Sequence, residues 1–146
     1  MAKFIYRMQS ILDIKAKMEE QAKAEFAAAR IRLNEEEEKL QGLIQRKAAY
    51  EDQGRTLRKD NLKVMEIMEN RDAIAMMEEF IAFQKNRVMK ARELLEEARV
   101  KLQIAMQESK TQEKLKEKAF DEFMREENAR EAKEIDELTS YTHGRK

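Results

Sequence analysis

Along Met77–Ala105 the apolar residues fall alternately four and three positions apart: Met77, Ile81, Val88, Ala91, Leu95, Ala98, Leu102 and Ala105, with Gln84 the single break. A repeat averaging 3.5 residues holds one stripe on one side of a helix, and such a stripe needs a partner helix to cover it. Most of the residues between are charged, alanine or glutamine, so the stretch reads as one seam of a coiled coil. A second seam runs earlier: Ile5, Met8, Leu12, Lys15, Glu19, Ala22, Phe26, Ala29, Leu33, Glu36, Leu40, Leu43, Lys47 and Tyr50, with Ile11, Met18 and Ile44 beside it. Its charged members admit two readings. Either Lys15, Glu19, Glu36 and Lys47 lie in the seam, where they cost stability and fix register, or the seam wanders and leaves them at its edge. Met18 offers an apolar alternative to Glu19, which favours the second.

Turn and cap residues cluster in Gly54–Asn61: Gly54 suits a left-handed helix end, and Asp60 or Asn61 can start the next helix. Asn70-Arg71-Asp72 is a second possible break. The preferred reversal at residues 54–61 predicts an all-α, antiparallel two-helix hairpin forming a single domain over residues 1–146. Helix 1 covers about residues 4–53, helix 2 about 62–140, and a frayed tail 141–146. A turn centred near residue 58 sets Leu12 opposite Ile104 and Phe26 opposite Lys90 to Ala91. The second helix then outlasts the first by roughly 25 residues. Its seam weakens at Gln107–Lys114, which holds no apolar residue, and resumes raggedly with Leu115, Ala119, Phe120, Phe123, Met124, Ile135 and Leu138.

Composition agrees. The 146 residues are 41% charged and include no proline and only three glycines, the usual interrupters of long helices. Periodic apolar residues argue against disorder. Thirty basic and thirty acidic residues cancel and intermix, which argues against a nucleic-acid partner. No cysteine is available for disulfides or thiolate metal sites. No apolar run approaches the ~20 residues that span a bilayer. Arg7, Gln9 and Ser10 interrupt any signal-peptide core at the start, so a cytoplasmic protein is expected.

Chemistry is not in view. A two-helix hairpin offers no enclosed pocket to organise a reaction. The sequence carries no phosphate-cradling glycine loop, nucleophile–histidine set or metal-ligand cluster, so neither enzyme activity, nor a cofactor, nor a small-molecule substrate is expected. His143 has no neighbouring ligand. Glu35 to Glu38 read as a solvated flank, each near a cation such as Lys39. Contact surface is what remains. Met76, Phe80 and Phe83 recur at i, i+4 and i+7 outside the main seam, in a region also rich in methionine (Met65, Met68, Met77, Met89). Such side chains suit adaptable protein–protein surfaces. Alternatively the stripe packs on the first helix near the hairpin tip.

The opening FIYRMQSILDIKAKMEEQAKAEFAAA resembles the start of the flagellar FliJ family: an aromatic–x–aromatic–basic–apolar–Gln lead, Leu12-Asp13-x-Lys15, and paired glutamates before Ala22. EEEEKLQGL, Tyr50, Phe80-Ile81 and Lys133-x-x-Asp136-Glu137 fit the same pattern, so the resemblance spans nearly the whole chain. It implies a non-enzymatic component of the flagellar protein-export apparatus, a long antiparallel coiled coil similar to the stalk of rotary ATPases. Such a protein would sit in the hexameric export ATPase FliI and stimulate it, contact the cytoplasmic part of the export gate protein FlhA, and escort export chaperones. It would then lie at the flagellar base, peripheral to the membrane through its partners. Phe80 matches an aromatic of the gate-contact region, whereas Gln84, Arg87 and Ala91 do not follow the family pattern there. The residues expected at the gate are Met76, Phe80 and Phe83. Those expected at the ATPase ring are Phe120, Phe123, Met124, Asp136 and Glu137, at the end that carries both termini. The equivalent stalk of a virulence-type secretion ATPase and a purely structural scaffold are the alternatives.

Overall fold

The computed structural model describes residues 2–59 and 63–144. Two helices, α1 (Gln9–Lys59) and α2 (Val64–Gly144), pack against each other as an antiparallel hairpin with the second longer than the first. The described residues form no strand. They pack as two compact units, one of residues 1–21 with 103–146 and one of residues 22–102.

The buried and half-buried positions reproduce the sequence pattern in phase. On α1 they are Leu12, Lys15, Glu19, Ala22, Phe26, Ala29, Leu33, Glu36, Leu40, Leu43, Lys47, Tyr50, Gly54 and Leu57, with Gln9 and Glu37 half-buried outside that phase. The seam therefore does not wander. Lys15, Glu19, Glu36 and Lys47 lie in it, while Met18 beside Glu19 is exposed. On α2 the same rhythm passes through Gln84, Ser109, Gln112 and Lys116 without losing phase, so Gln84 is a seam residue and not a break. The hydrophobic centre lies in the second unit, where Leu33, Val88 and Ala91 cluster and Leu40 and Leu95 pack on them.

Several boundaries differ from expectation. Residues 2–6 are not helical; the Met8 carbonyl accepts the first α-helical bond, from Leu12, so Ile5 and Met8 lie outside the seam. Gly54 does not end α1, because the helix continues to Lys59 and no glycine adopts a positive φ. Glycine there makes room for Asn70: a Cβ at residue 54 would lie 2.5 Å from Asn70 Oδ1, and the Asn70 side chain would have to move. Asn70 does not break α2. It is buried within the helix and its Nδ2 donates to the Tyr50 carbonyl at 2.8 Å. Lys63 caps α2, its carbonyl accepting from the Ile67 amide. The expected caps Asp60 and Asn61 lie outside the described residues. The tail is helical as far as Gly144.

The register differs too. Lys15–Glu108, Glu36–Arg87 and Gly54–Asn70 are symmetric about residues 61–62 and not 58. Leu12 therefore lies opposite about residue 111, and Phe26 opposite about residue 97, one heptad from the expected pairings. Shifting by seven residues preserves every seam position, so hydrophobic spacing alone does not distinguish the two alignments.

Candidate functional site

In the unit of residues 22–102, the seam is crossed by one buried polar layer. Glu36 is only 3% exposed, yet it sits in a dense set of donors. Gln84 Nε2 donates to the Glu36 carbonyl at 2.9 Å and to its Oε2 at 2.5 Å. Arg87 Nε donates to Oε2 at 3.2 Å, and Nη2 to Oε1 at 3.4 Å. Arg32 and Lys39, one turn to either side on α1, each bring a cationic nitrogen to 3.9 Å from Oε1. The hydrogen bonds from Gln84 and Arg87 outweigh burial and hold the Glu36 carboxyl below its ordinary value of 4.5. Three cations thus converge on one carboxylate.

Met76, Phe80 and Phe83 lie beside this layer and are exposed, Phe83 at 65%. Phe83 is the most open of the three and Phe80 the least. Met65, Met68, Met89 and Leu94 of α2 are exposed as well. The four-three spacing of the stripe continues through Arg87 and Lys90, an extension the sequence reading missed because neither residue is apolar. Glu37 pairs with Arg92 at 3.5 Å and Lys47 with Glu78 at 3.5 Å; both bridges are solvent-reached and contribute little.

In the other unit, of the expected ring-facing residues, Phe120, Met124, Asp136 and Glu137 are exposed and Phe123 is half-buried. Phe120 and Phe123 meet the ring of Phe4 edge-on, at centroid distances of 5.3 and 5.4 Å. Phe4 in turn stacks on Tyr6 at 6.5 Å. The non-helical lead therefore folds back on α2, a pairing invisible in the helical periodicity because residues 2–6 do not share it. Met124 is exposed, as are Asp136 and Glu137 about three turns further on. From Asn128 to Gly144 every residue of α2 is exposed, including Ile135, Leu138 and Tyr141. The wholly exposed stretch of α2, residues 128–144, is thus shorter than the overhang expected, because the non-helical lead, not α1, reaches Phe120 and Phe123.

Among the described residues, no group of three His, Cys, Asp or Glu side chains is arranged to hold a metal ion. No described helix is long and apolar enough to cross a membrane. The clefts along the hairpin are open and line with mixed side chains, for instance Glu19, Gln103, Met106 and Gln107. What these helices present is contact surface.

The family model described as the flagellar FliJ protein matches residues 4–146. Comparison with curated proteins and with solved structures gave no match.

Proposed function

The chain belongs to the flagellar FliJ family, non-catalytic components of the flagellar export apparatus, and from that premise we propose that it is the stalk of the export ATPase ring. In this reading it stimulates the FliI hexamer with the end that carries both termini, contacts the cytoplasmic part of the gate protein FlhA through Met76, Phe80 and Phe83, and escorts export chaperones. It works at the flagellar base and reaches the membrane only through its partners. The observation that carries the reading is the run from Asn128 to Gly144: a continuous helix, wholly exposed, with apolar Ile135 and Leu138 on its surface and Asp136 and Glu137 among them. An isolated helix keeps apolar groups in water at a cost unless a partner covers them.

The test is ATPase stimulation by the full chain against a chain ending at Glu127. None of the described residues removed is buried, so the remaining hairpin should retain its helicity. Loss of stimulation with retained binding of the gate's cytoplasmic part supports the stalk. Undiminished stimulation by the shortened chain rejects this assignment of the end.

A further inference from the structure

Both helices contribute to one flank of the unit formed by residues 22–102. Arg32, Lys39 and Arg46 recur every seven residues and form one line along α1. Met76, Phe80, Phe83, Arg87 and Lys90 form a line along α2. The lines border the same side of the seam, since Arg32 and Lys39 from one and Arg87 from the other all reach Glu36. Between Lys39 and Arg46, at three-four spacing, stands Gly42, and nothing lies within 4 Å of where its Cβ would be. The flank thus carries large apolar side chains on α2, one side-chain-free position at Gly42 on α1, cations along both helices and the exposed Glu35 among them.

The charge of this flank is unbalanced. Two carboxylates, the buried Glu36 and the exposed Glu35 on the line of Arg32 and Lys39, stand among five cations; Glu36 is shared by Arg32, Lys39 and Arg87, and each of these cations remains substantially exposed. Arg46 and Lys90 pair with no carboxylate among the described residues. A chain with no net charge therefore concentrates positive charge around its exposed phenylalanines.

We propose that this flank is a docking groove for an acidic amphipathic helix of a partner protein, laid against Phe80 and Phe83 as a third strand of the coiled coil. Helix-in-groove recognition takes its affinity from apolar anchors on one face, and complementary border charges select the partner and speed encounter. A second copy of this chain using the same flank would set cations against cations. An anionic membrane would match the charge, but the open α1 backbone at Gly42 suits the close approach of a helix and adds nothing to lipid insertion. The proposal deepens the gate-contact reading of the Met76–Phe80–Phe83 stripe by naming the partner's chemistry, and its test separates the two.

The probe is a designed helix of about 20 residues with leucine on one face and glutamate along both borders. Its controls are a twin with lysine for each glutamate and vesicles of phosphatidylglycerol and phosphatidylcholine. Binding to the full chain is followed by fluorescence anisotropy. The glutamate helix should bind at least about tenfold more tightly than its lysine twin, and high salt should weaken it. Phe83→Ser should abolish binding. The double variant Arg46→Glu, Lys90→Glu should lower affinity about tenfold with unchanged circular dichroism, since neither residue holds the hairpin together. Equal binding of the lysine twin, indifference to Phe83→Ser, or preference for the anionic vesicles overturns the groove. The gate's cytoplasmic part is titrated in parallel. If it needs Phe83 but ignores the charge reversals, the groove proposal falls and the gate reading stands. If it does not bind while the glutamate helix obeys these rules, the gate reading falls alone.

Discussion

The two packed units use the same four-three spacing but fill it differently. The six buried apolar residues among the described residues (Ala22, Leu33, Met77, Val88, Ala91 and Ala98) all belong to the unit of residues 22–102. Among its described residues, the unit that carries the termini has one buried residue, Ser109, and its neighbouring seam positions are Gln112 and Lys116. Polar groups enter both seams, with opposite outcomes. Glu36 is met by Gln84 and by three cations, whereas Gln112 Oε1 is buried with no hydrogen-bond partner. Opposite the polar stretch of α2, Lys15 reaches Glu108 at 2.9 Å, a bridge open to solvent. A satisfied buried charge sets alignment, and an unsatisfied buried amide lowers stability. The terminal unit relies more on its edges, where Phe4 covers Phe120 and Phe123.

The largest expected effect is at the apolar centre. Val88 is 4% exposed and packs with Leu33 and Ala91, so Val88→Asp should cost roughly 3–5 kcal/mol, and Leu95→Asp nearly as much. Glu97→Asp, on the exposed face, should be close to neutral. Chemical denaturation measures all three, and similar midpoints would contradict the seam phase. Next comes the polar layer. Gln84→Leu removes the amide that donates to Glu36, leaving that group short of a partner, and should destabilise by roughly 1–3 kcal/mol. In the terminal unit the sign should reverse. Gln112→Leu replaces an unsatisfied amide with an apolar side chain and should stabilise by about 1 kcal/mol. Thermal melts that show Gln84→Leu and Gln112→Leu moving the same way would erase the contrast between the units.

The smallest effect is on pH. The folded-state Glu36 carboxyl is held below its ordinary 4.5. Its contribution to stability is therefore fully present above that value and is lost as pH falls below it towards the folded-state value. Glu36→Gln should make stability less dependent on pH in this acid range. Above pH 5 the two proteins should show parallel pH profiles. Urea titrations at several pH values measure the slope, and an unchanged acid slope would remove Glu36 from the account.

The apolar seam positions were legible in the sequence because helical burial repeats every 3.5 residues, whereas the charged members Lys15, Glu19, Glu36 and Lys47, which the sequence favoured at the seam's edge, keep the beat in the structure. The alignment of one helix on the other was not legible from that repeat. Sliding by one heptad returns every apolar residue to an apolar position, and the expected turn near residue 58 chose such a neighbouring alignment. Glu36 removes the ambiguity. In the alignment shifted one way it would face Met77 and Ile81, and shifted the other way Ala91 and Leu95, none of which can donate a hydrogen bond. Gly54 misled for a related reason. Glycine weakens helices, so it read as a terminus, but its role is to admit Asn70 from the other helix. The surfaces were half legible. The exposure of Met76, Phe80 and Phe83 followed from their position outside the seam, whereas the return of Phe4 onto Phe120 and Phe123 has no periodic signal.

The uneven stoichiometry around Glu36 also constrains how descendants of this sequence can drift. Losing one of Arg32, Lys39 or Arg87 leaves two cations to neutralise the carboxylate, so each of these changes is a tolerable single step. Losing Glu36 first strands three like charges around a hole in the seam. Lineages that abandon this layer should therefore have shed cations before the carboxylate, and chains with an apolar residue at position 36 should rarely retain arginine or lysine at all three of positions 32, 39 and 87.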